Sequence, residues 1–251
     1  FTEIQSYLLA ENEYKKVTLE SSFFLKAQLA IGDILVELDQ QDQAIKKLDV
    51  LLQKGFRDFT VYDAIANIYR VKEEYDKAIE YYSSAIEMIP DKDMHKSWAT
   101  FFLRGIAYDR SGDWRQAKAD FDIALQLFPN HPEVLNYLGY SLIERNENLS
   151  QALVMIKTAI KQKPDSGYIV DSLGWGLFRL GKYAESIIHM QRAIELEPND
   201  PIVNDHFGDV LWMIGRKREA RFQWKRALLF GPTSEDEKKI KKKLKLGITD
   251  L

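Results

Sequence analysis

The chain contains no cysteine among its 251 residues. Disulfide bonds, thiolate catalysis and cysteine-ligated zinc are therefore excluded, although the redox compartment is left open. No uninterrupted apolar run is long enough to cross a bilayer, so we predict no membrane span in this stretch. A formal net charge of −3 lacks the basic excess that is typical of nucleic-acid-binding domains, and we expect no nucleic-acid partner. The sequence starts at Phe1 without a signal-peptide pattern, and we interpret it as part of a longer protein.

Catalytic and metal-binding motifs are missing as well. The four histidines are His95, His131, His189 and His206. The last two lie in helical patterns without a carboxylate or a second histidine at metal-ligand spacing. No His-Glu-x-x-His, Gly-x-Ser-x-Gly or phosphate-loop motif occurs. We therefore predict that this chain is not an enzyme and holds no metal or cofactor.

The sequence does contain a repeat of 34 residues. Leu173-Gly174 corresponds to Phe207-Gly208, Gly181 to Gly215, and Pro198 to Pro232. Earlier copies are marked by Gly32 and Ala44, by Ala66 and Pro90, by Gly105 and Pro129, and by Gly139 and Pro164. Each copy has two helix-length periodic segments with a turn near its fifteenth residue, where Gly112, Gly181 and Gly215 can adopt a left-handed conformation. One helix pair cannot bury its apolar face alone, so stacked pairs are predicted.

This spacing of small residues and closing prolines resembles the tetratricopeptide repeat family. The resemblance implies an all-α fold, a right-handed α-solenoid of six helix-turn-helix repeats with a C-terminal capping helix. The repeats span 25–58, 59–97, 98–131, 132–166, 167–200 and 201–234. Residues 1–24 are interpreted as the end of an upstream repeat and a link. Residues 235–251 are predicted to form the capping helix and tail, although their lysines also fit a membrane or nucleic-acid patch.

Two glycines flank Trp175 inside a helical pattern, where each glycine costs about 1 kcal/mol relative to alanine. Gly174 is the eighth residue of its repeat, and we predict that it approaches the second helix of the same repeat, at Ser186 and Ala193. Trp175 is then predicted to face the groove. The sequence offers no comparable reason for Gly176.

The family resemblance also implies a groove lined by residues 2, 5, 9, 12 and 13 of each repeat. The predicted protein-binding residues are Asn67, Arg70, Phe102, Asn136, Tyr140, Tyr168, Asp171, Trp175, Phe178, Arg179, Asp205, Asp209 and Trp212. The same positions include Glu144 and Ile202. Aromatic side chains gather in the last three repeats, as interface cores favour. For Phe178 and Trp212, packing between adjacent first helices is an equally good interpretation, whereas Tyr75, Trp114 and Trp224 are expected in the core.

One variant of the family is disfavoured by these positions. The clamp that holds a terminal carboxylate resembles lysine at position 5 followed by asparagine at position 9. No repeat here carries that pair. Positions 5 and 9 are occupied, for example, by Asn136 and Tyr140 or by Asp171 and Trp175. Across all groove positions nine residues are acidic and four are basic, which favours a basic partner segment over a phosphate backbone.

The last two repeats, from Asp171 to Trp224, show a narrower resemblance to the C-terminal repeats of long tetratricopeptide proteins of Gram-negative bacteria. Many of these are periplasmic and carry a signal or lipid anchor, and one relative is an outer-membrane lipoprotein adaptor that brings a protease to cell-wall hydrolases. The resemblance therefore implies a periplasmic or outer-membrane-associated adaptor, with a cytoplasmic location as the alternative. We expect a protein or peptide partner, and an oligomer is possible. The rival hypothesis is a structural or self-assembling spacer without a groove ligand.

Overall fold

The structure, a computed structural model, describes residues 2–248, which form fourteen α-helices and one 3₁₀ helix without a β-strand. The chain divides into two compact units, Phe1–Pro129 and Asn130–Leu251. Each unit contains three helix pairs and one further helix, as expected for the predicted all-α repeat fold.

The first unit contains seven of the described helices. They are α1 (Thr2–Tyr14), α2 (Phe24–Glu37), α3 (Gln41–Gln53), α4 (Phe59–Val71), α5 (Tyr75–Met88), α6 (Trp98–Ser111) and α7 (Trp114–Leu127), with the 3₁₀ helix Asp91–Lys96 before α6. Its core includes Ile31, Leu48 and Ile65, which are fully buried.

The second unit contains the other seven. They are α8 (Pro132–Glu144), α9 (Leu149–Gln162), α10 (Gly167–Arg179), α11 (Tyr183–Leu196), α12 (Pro201–Met213), α13 (Lys217–Leu229) and α14 (Ser234–Leu246). Proline at the first helical position fixes the starts of α8 and α12, and the Asp200 carboxylate caps α12 by accepting from the Ile202 and Val203 amides. A buried cluster at the C-terminal end joins Met190, Trp224 and Ile240.

The turn inside each helix pair is built the same way in all six repeats. Counted from the predicted starts, the fifteenth residue always has a positive φ. The six values are 60° at Asp39, 62° at Glu73, 94° at Gly112, 55° at Asn146, 72° at Gly181 and 85° at Gly215. The left-handed turn predicted at the three glycines is confirmed. The other three repeats adopt the same conformation with a side chain, at a higher backbone cost.

The two glycines beside Trp175 face opposite neighbours. A Cβ at Gly174 would lie 2.8 Å from Met190 Cε, and the Ser186 hydroxyl donates to the Gly174 carbonyl at 2.7 Å. Gly174 therefore packs against α11, as predicted. A Cβ at Gly176 would lie 2.6 Å from Ile143 Cδ1 and 2.7 Å from Leu153 Cδ2, so Gly176 packs against the preceding repeat. One glycine admits the partner helix and the other admits the neighbouring repeat.

Candidate functional site

The predicted groove residues of the second unit lie on α8, α10 and α12, the first helices of its three repeats, which we name the A-helix layer. The second helices α9, α11 and α13 form what we name the B-helix layer. Unless stated otherwise, the geometry below concerns these two layers and α14.

A stack of rings occupies the middle of the A-helix layer. Phe178 covers one face of the Trp175 indole at 4.8 Å between ring centroids, and His206 covers the other at 4.0 Å, with both pairs within 12° of parallel. The indole N–H of Trp175 donates to Glu144 Oε1 at 2.5 Å, and Arg179 lies 3.5 Å from the same carboxylate oxygen. Because both ring faces are covered, Trp175 can offer a partner only its edge.

His206 reaches back to the preceding repeat. Its Nδ1 lies 2.9 Å from Asp171 Oδ2, and both side chains are buried. Burial by itself lowers the pKa of His206, but the Asp171 carboxylate, with Asp205 and Asp209 nearby, raises it above the ordinary histidine value. In its protonated form the ring lies on the indole face of Trp175, where a cation is favoured.

At the end of the A-helix layer, a lysine of α14 lies between two aspartates of α12. Lys243 Nζ lies 2.7 Å from Asp205 Oδ2 and 2.7 Å from Asp209 Oδ2, while Asp209 Oδ1 accepts the indole N–H of Trp224 at 2.8 Å. Burial and the Asp205 charge raise the pKa of Asp209 to about 6, opposed by Lys243 and His206. The A-helix layer therefore already binds one ammonium group, supplied by its own chain.

The apolar side of α14 is also packed. Ile240 is fully buried, and Leu244 and Ile248 pack against the same cluster. The turn after α14 lies so close to Trp212 that a Cβ at Gly247 would clash with the ring. Trp212 further contacts Trp224 and the cations of Lys217 and Arg221. This packing fits a capping helix, and α14 leaves Lys238, Lys242 and Lys245 exposed.

Position 5 of each repeat in this unit presents a buried oxygen without a hydrogen-bond partner among the described residues. These atoms are Asn136 Oδ1, Asp171 Oδ1 and Asp205 Oδ1, and Asp63 Oδ1 in the first unit is equivalent. The row consists of acceptors, which suits a donor such as lysine or arginine and does not suit a carboxylate.

The exposed apolar side chains beside this row are Tyr168 and Ile202, both at position 2. Their exposed fractions are 48% and 47%, which leaves each side chain available for contact. An exposed apolar side chain beside an acceptor row can bind a segment that carries both apolar and basic side chains.

The structure corrects part of the predicted groove. Asn136, Asp171, Phe178 and Asp209 are buried between neighbouring first helices, so they support the surface and do not form an open lining. Tyr140, Trp175, Arg179, Asp205 and Trp212 are half-buried, as are Asn67, Arg70 and Phe102 in the first unit, where Arg70 donates to Asn67 Oδ1 at 2.8 Å. Tyr168 is exposed.

Two central residues, His206 and Lys243, escaped the sequence prediction. Local metal-ligand spacing compares residues of one helix, whereas Asp171 precedes His206 by 35 residues. A pairing rule that allows one residue on either side of the 34-residue repeat length would predict it. Lys243 lies 34 residues beyond Asp209 and would have been found by the same rule.

Two further structural findings bear on function. Among the described side chains, no group of three or more histidine, aspartate or glutamate residues is placed to hold a metal ion. Of the helices within residues 2–248, none combines the length and apolar character that a bilayer crossing needs.

The comparisons with known proteins agree on one family. A family model described as tetratricopeptide repeat matches residues 33–230. The TPR repeat-containing protein PA4667 of Pseudomonas aeruginosa is 29% identical over 179 residues, which cover 70% of this chain and 29% of that protein. The lipoprotein NlpI homolog of Haemophilus influenzae is 40% identical over 85 residues, covering 33% of this chain and 26% of the relative. The chain thus spans less than a third of the length of either relative.

A solved structure shows the same fold. The crystal structure of a tetratricopeptide repeat protein from Parabacteroides merdae superimposes with a TM-score of 0.73 at 17% identity, covering 98% of this chain and 94% of the other. At that identity, the likeness concerns the fold alone.

Proposed function

The chain belongs to the tetratricopeptide repeat family, and from that premise we propose that it is a non-enzymatic interaction scaffold whose A-helix layer in the second unit binds a segment of a partner protein. The observation that carries the proposal is Lys243, which the layer holds between Asp205 and Asp209. The preferred segment carries lysine or arginine next to apolar residues, because exposed Tyr168 and Ile202 lie beside a row of acceptors.

The finer form of the proposal is an adaptor of the bacterial cell envelope that brings a protease to its substrates. Its support is the similarity of 85 residues of the chain to a protein named a lipoprotein. An anchor outside this stretch would then hold the scaffold in the periplasm or at the outer membrane.

A second candidate is a structural spacer that presents no binding surface on its A helices. It is favoured by the covered faces of Trp175 and by the engagement of Trp212, since these aromatic rings already have partners within the chain. The two candidates differ in whether the A-helix layer selects any peptide.

A random-peptide library displayed on phage tests this directly. We expect selected peptides enriched in lysine or arginine beside apolar residues. Their binding should fall about tenfold or more in a Tyr168→Ala, Ile202→Ala variant, since the substitutions remove the exposed apolar contacts. A Val154→Ala, Phe222→Ala variant, altered at exposed apolar residues of the B-helix layer, should bind the peptides unchanged. Failure to enrich any motif would favour the spacer.

A further inference from the structure

Each helix of the B-helix layer displays a large exposed apolar side chain at the same repeat position. These are Val154 on α9, Ile188 on α11 and Phe222 on α13, and their exposed fractions are 64%, 64% and 59%. Successive members are 34 residues apart, so the three occupy the same place in three consecutive repeats. We name this set the outer stripe.

The outer stripe faces away from the packed side of every helix. In all three helices, the residues two positions before and two positions after the stripe are fully buried: Ala152 and Ile156, Ser186 and Met190, Ala220 and Trp224. Two residues along an α-helix correspond to a rotation of about 200°. The stripe side chains therefore point outward in the same direction relative to their own repeats.

The stripe is a property of the second unit and not of the repeat itself. In the first unit the equivalent residues are Lys46, Glu80 and Ala119. Repeat packing therefore does not require an apolar residue at this position. An exposed apolar set rimmed by polar residues is typical of an interaction site.

The surroundings of the outer stripe are basic. Helices α9, α11 and α13 together carry eight lysine and arginine residues against three glutamates. Lys157, Lys161 and Lys225 are exposed and form no ion pair with any described residue. The A-helix layer has a net charge of the opposite sign, since it carries five acidic residues and one arginine.

A second copy of this layer is a poor match for the basic surface, because each of its five acidic side chains has a partner within the chain and the unpartnered oxygens of Asp171 and Asp205 are buried. Glu133 pairs with Lys163, Glu144 with Trp175, Asp171 with His206, and Asp205 and Asp209 with Lys243. The engagement of these acids favours a different protein as the source of the complementary charge.

We infer that the outer stripe docks an acidic amphipathic helix of a partner protein, lying across α9, α11 and α13. The first helices of successive repeats are in contact, α8 with α10 and α10 with α12, and packed helices lie about 8–10 Å apart, so equivalent positions of stacked repeats recur at roughly that interval. Seven residues of an α-helix rise about 10.5 Å, whereas same-face residues of a strand recur every 7 Å or so. A helix with apolar residues at i, i+7 and i+14 meets the three stripe residues in turn, and glutamates beside them meet the free lysines.

The probe is a fluorescein-labelled helical peptide of about three heptads, with leucine at i, i+7 and i+14 and glutamate on both sides. Its control is a scrambled peptide of the same composition. Binding is followed by fluorescence anisotropy against the whole chain and against a Val154→Ser, Ile188→Ser, Phe222→Ser variant. The matched control is Tyr168→Ser, Ile202→Ser, which removes exposed apolar residues from the A-helix layer. Circular dichroism first checks that each variant is folded.

We expect the stripe variant to bind the patterned peptide at least about tenfold more weakly, and the control variant to bind it unchanged. Raising the salt concentration should weaken binding, since free lysines contribute. Equal binding of the scrambled peptide, or no effect of the stripe variant, would overturn the inference. Stripe-dependent dimers in light scattering would assign the stripe to a second copy, and stripe-dependent binding to anionic vesicles without peptide binding would assign it to a membrane. Either result rejects the inference and leaves the proposal for the A-helix layer intact.

Discussion

At the scale of single residues, the space available for a side chain at one repeat position differs between repeats. Gly32 and Gly208 both stand at position 8 of a first helix. A Cβ at Gly208 would lie 2.5 Å from two atoms of the Trp224 ring, which is fully buried and hydrogen-bonded to Asp209. A Cβ at Gly32 would lie 3.5 Å from Leu48 Cδ1, which is an ordinary contact.

Substitution by alanine should therefore have opposite effects at the two sites. We expect Gly208→Ala to cost about 1–3 kcal/mol, because the rigid indole cannot move aside. Gly32→Ala should stabilise α2 by up to about 1 kcal/mol, because alanine is the better helix former and fits the space. Hydrogen exchange of α12 and α2 measures each local stability, and equal shifts at both sites would contradict the packing described.

His206 should make stability fall as pH rises. Its pKa is raised in the folded chain, so its stabilising contribution is complete below the unfolded value of about 6.5 and is lost as pH rises through the folded pKa. His189 has a pKa lowered by burial and by Lys157, so its contribution has the opposite sign and is lost as pH falls.

Urea unfolding across neutral pH should separate the two histidines. His206→Gln should remove part of the decline in stability towards high pH, and His189→Gln should remove part of the loss towards low pH. A His206→Gln profile parallel to that of the unmodified chain would mean that the imidazole is not charged against Asp171.

At the scale of helices and turns, the turn chemistry is general although its residues vary. Glu73 has a φ of 62°, a conformation that costs a residue with a side chain roughly 1–2 kcal/mol. Glu73→Gly should raise the stability of the α4–α5 pair by a fraction of that cost, since glycine also gains entropy in the unfolded chain. Gly181→Ala is the reciprocal test: a Cβ there meets nothing within 4 Å, so any loss is due to the backbone. Unchanged thermal midpoints in both variants would reject this interpretation.

The docking of α14 combines apolar packing with one buried ionic contact, that of Lys243 with Asp205 and Asp209. Lys243→Met should loosen α14 substantially at neutral pH, by up to about 3–5 kcal/mol, because it leaves two carboxylates without their cation. The effect should shrink below the pKa of Asp209, about 6, where that carboxylate is protonated. Lys242→Met, on the exposed side of the same helix, should change stability by less than about 0.5 kcal/mol. Hydrogen exchange of α14 reports the difference, and similar effects of the two variants would show that Ile240 and Leu244 hold the helix alone.

The fold could be predicted from the sequence because the same sequence pattern recurs in every repeat. Small residues at position 8, a left-handed residue at position 15 and a closing proline all follow from local chemistry. The site could be predicted only in part, because its contacts join different repeats. Trp175 was predicted to face the groove and lies on α10, but one of the two rings that cover it belongs to His206, one repeat later. The apolar pattern of α14 could be predicted from its local spacing. Its ionic contact could not, because the two aspartates that bind Lys243 lie in the preceding repeat.

At the scale of the whole chain, the two units distribute charge differently. In the first unit, helices α2, α4 and α6 carry four acidic and four basic residues, whereas the A-helix layer of the second unit is strongly acidic and its B-helix layer basic. Both proposed surfaces belong to the second unit. Their function should therefore survive damage to the first, provided that stability is carried between neighbouring repeats only.

Leu48→Ala tests this independence. Leu48 is fully buried in α3, so truncation should cost the first unit about 2–5 kcal/mol. We expect hydrogen-exchange protection to fall in α2, α3 and α4 and to remain in α10 and α12, because repeats depend chiefly on their neighbours. Ile156→Ala, at a fully buried site in α9, is the mirror control and should lower protection in the second unit. A uniform loss over both units in either variant would mean that the chain unfolds as one cooperative body, so that a binding surface in the second unit would be sensitive to every repeat before it.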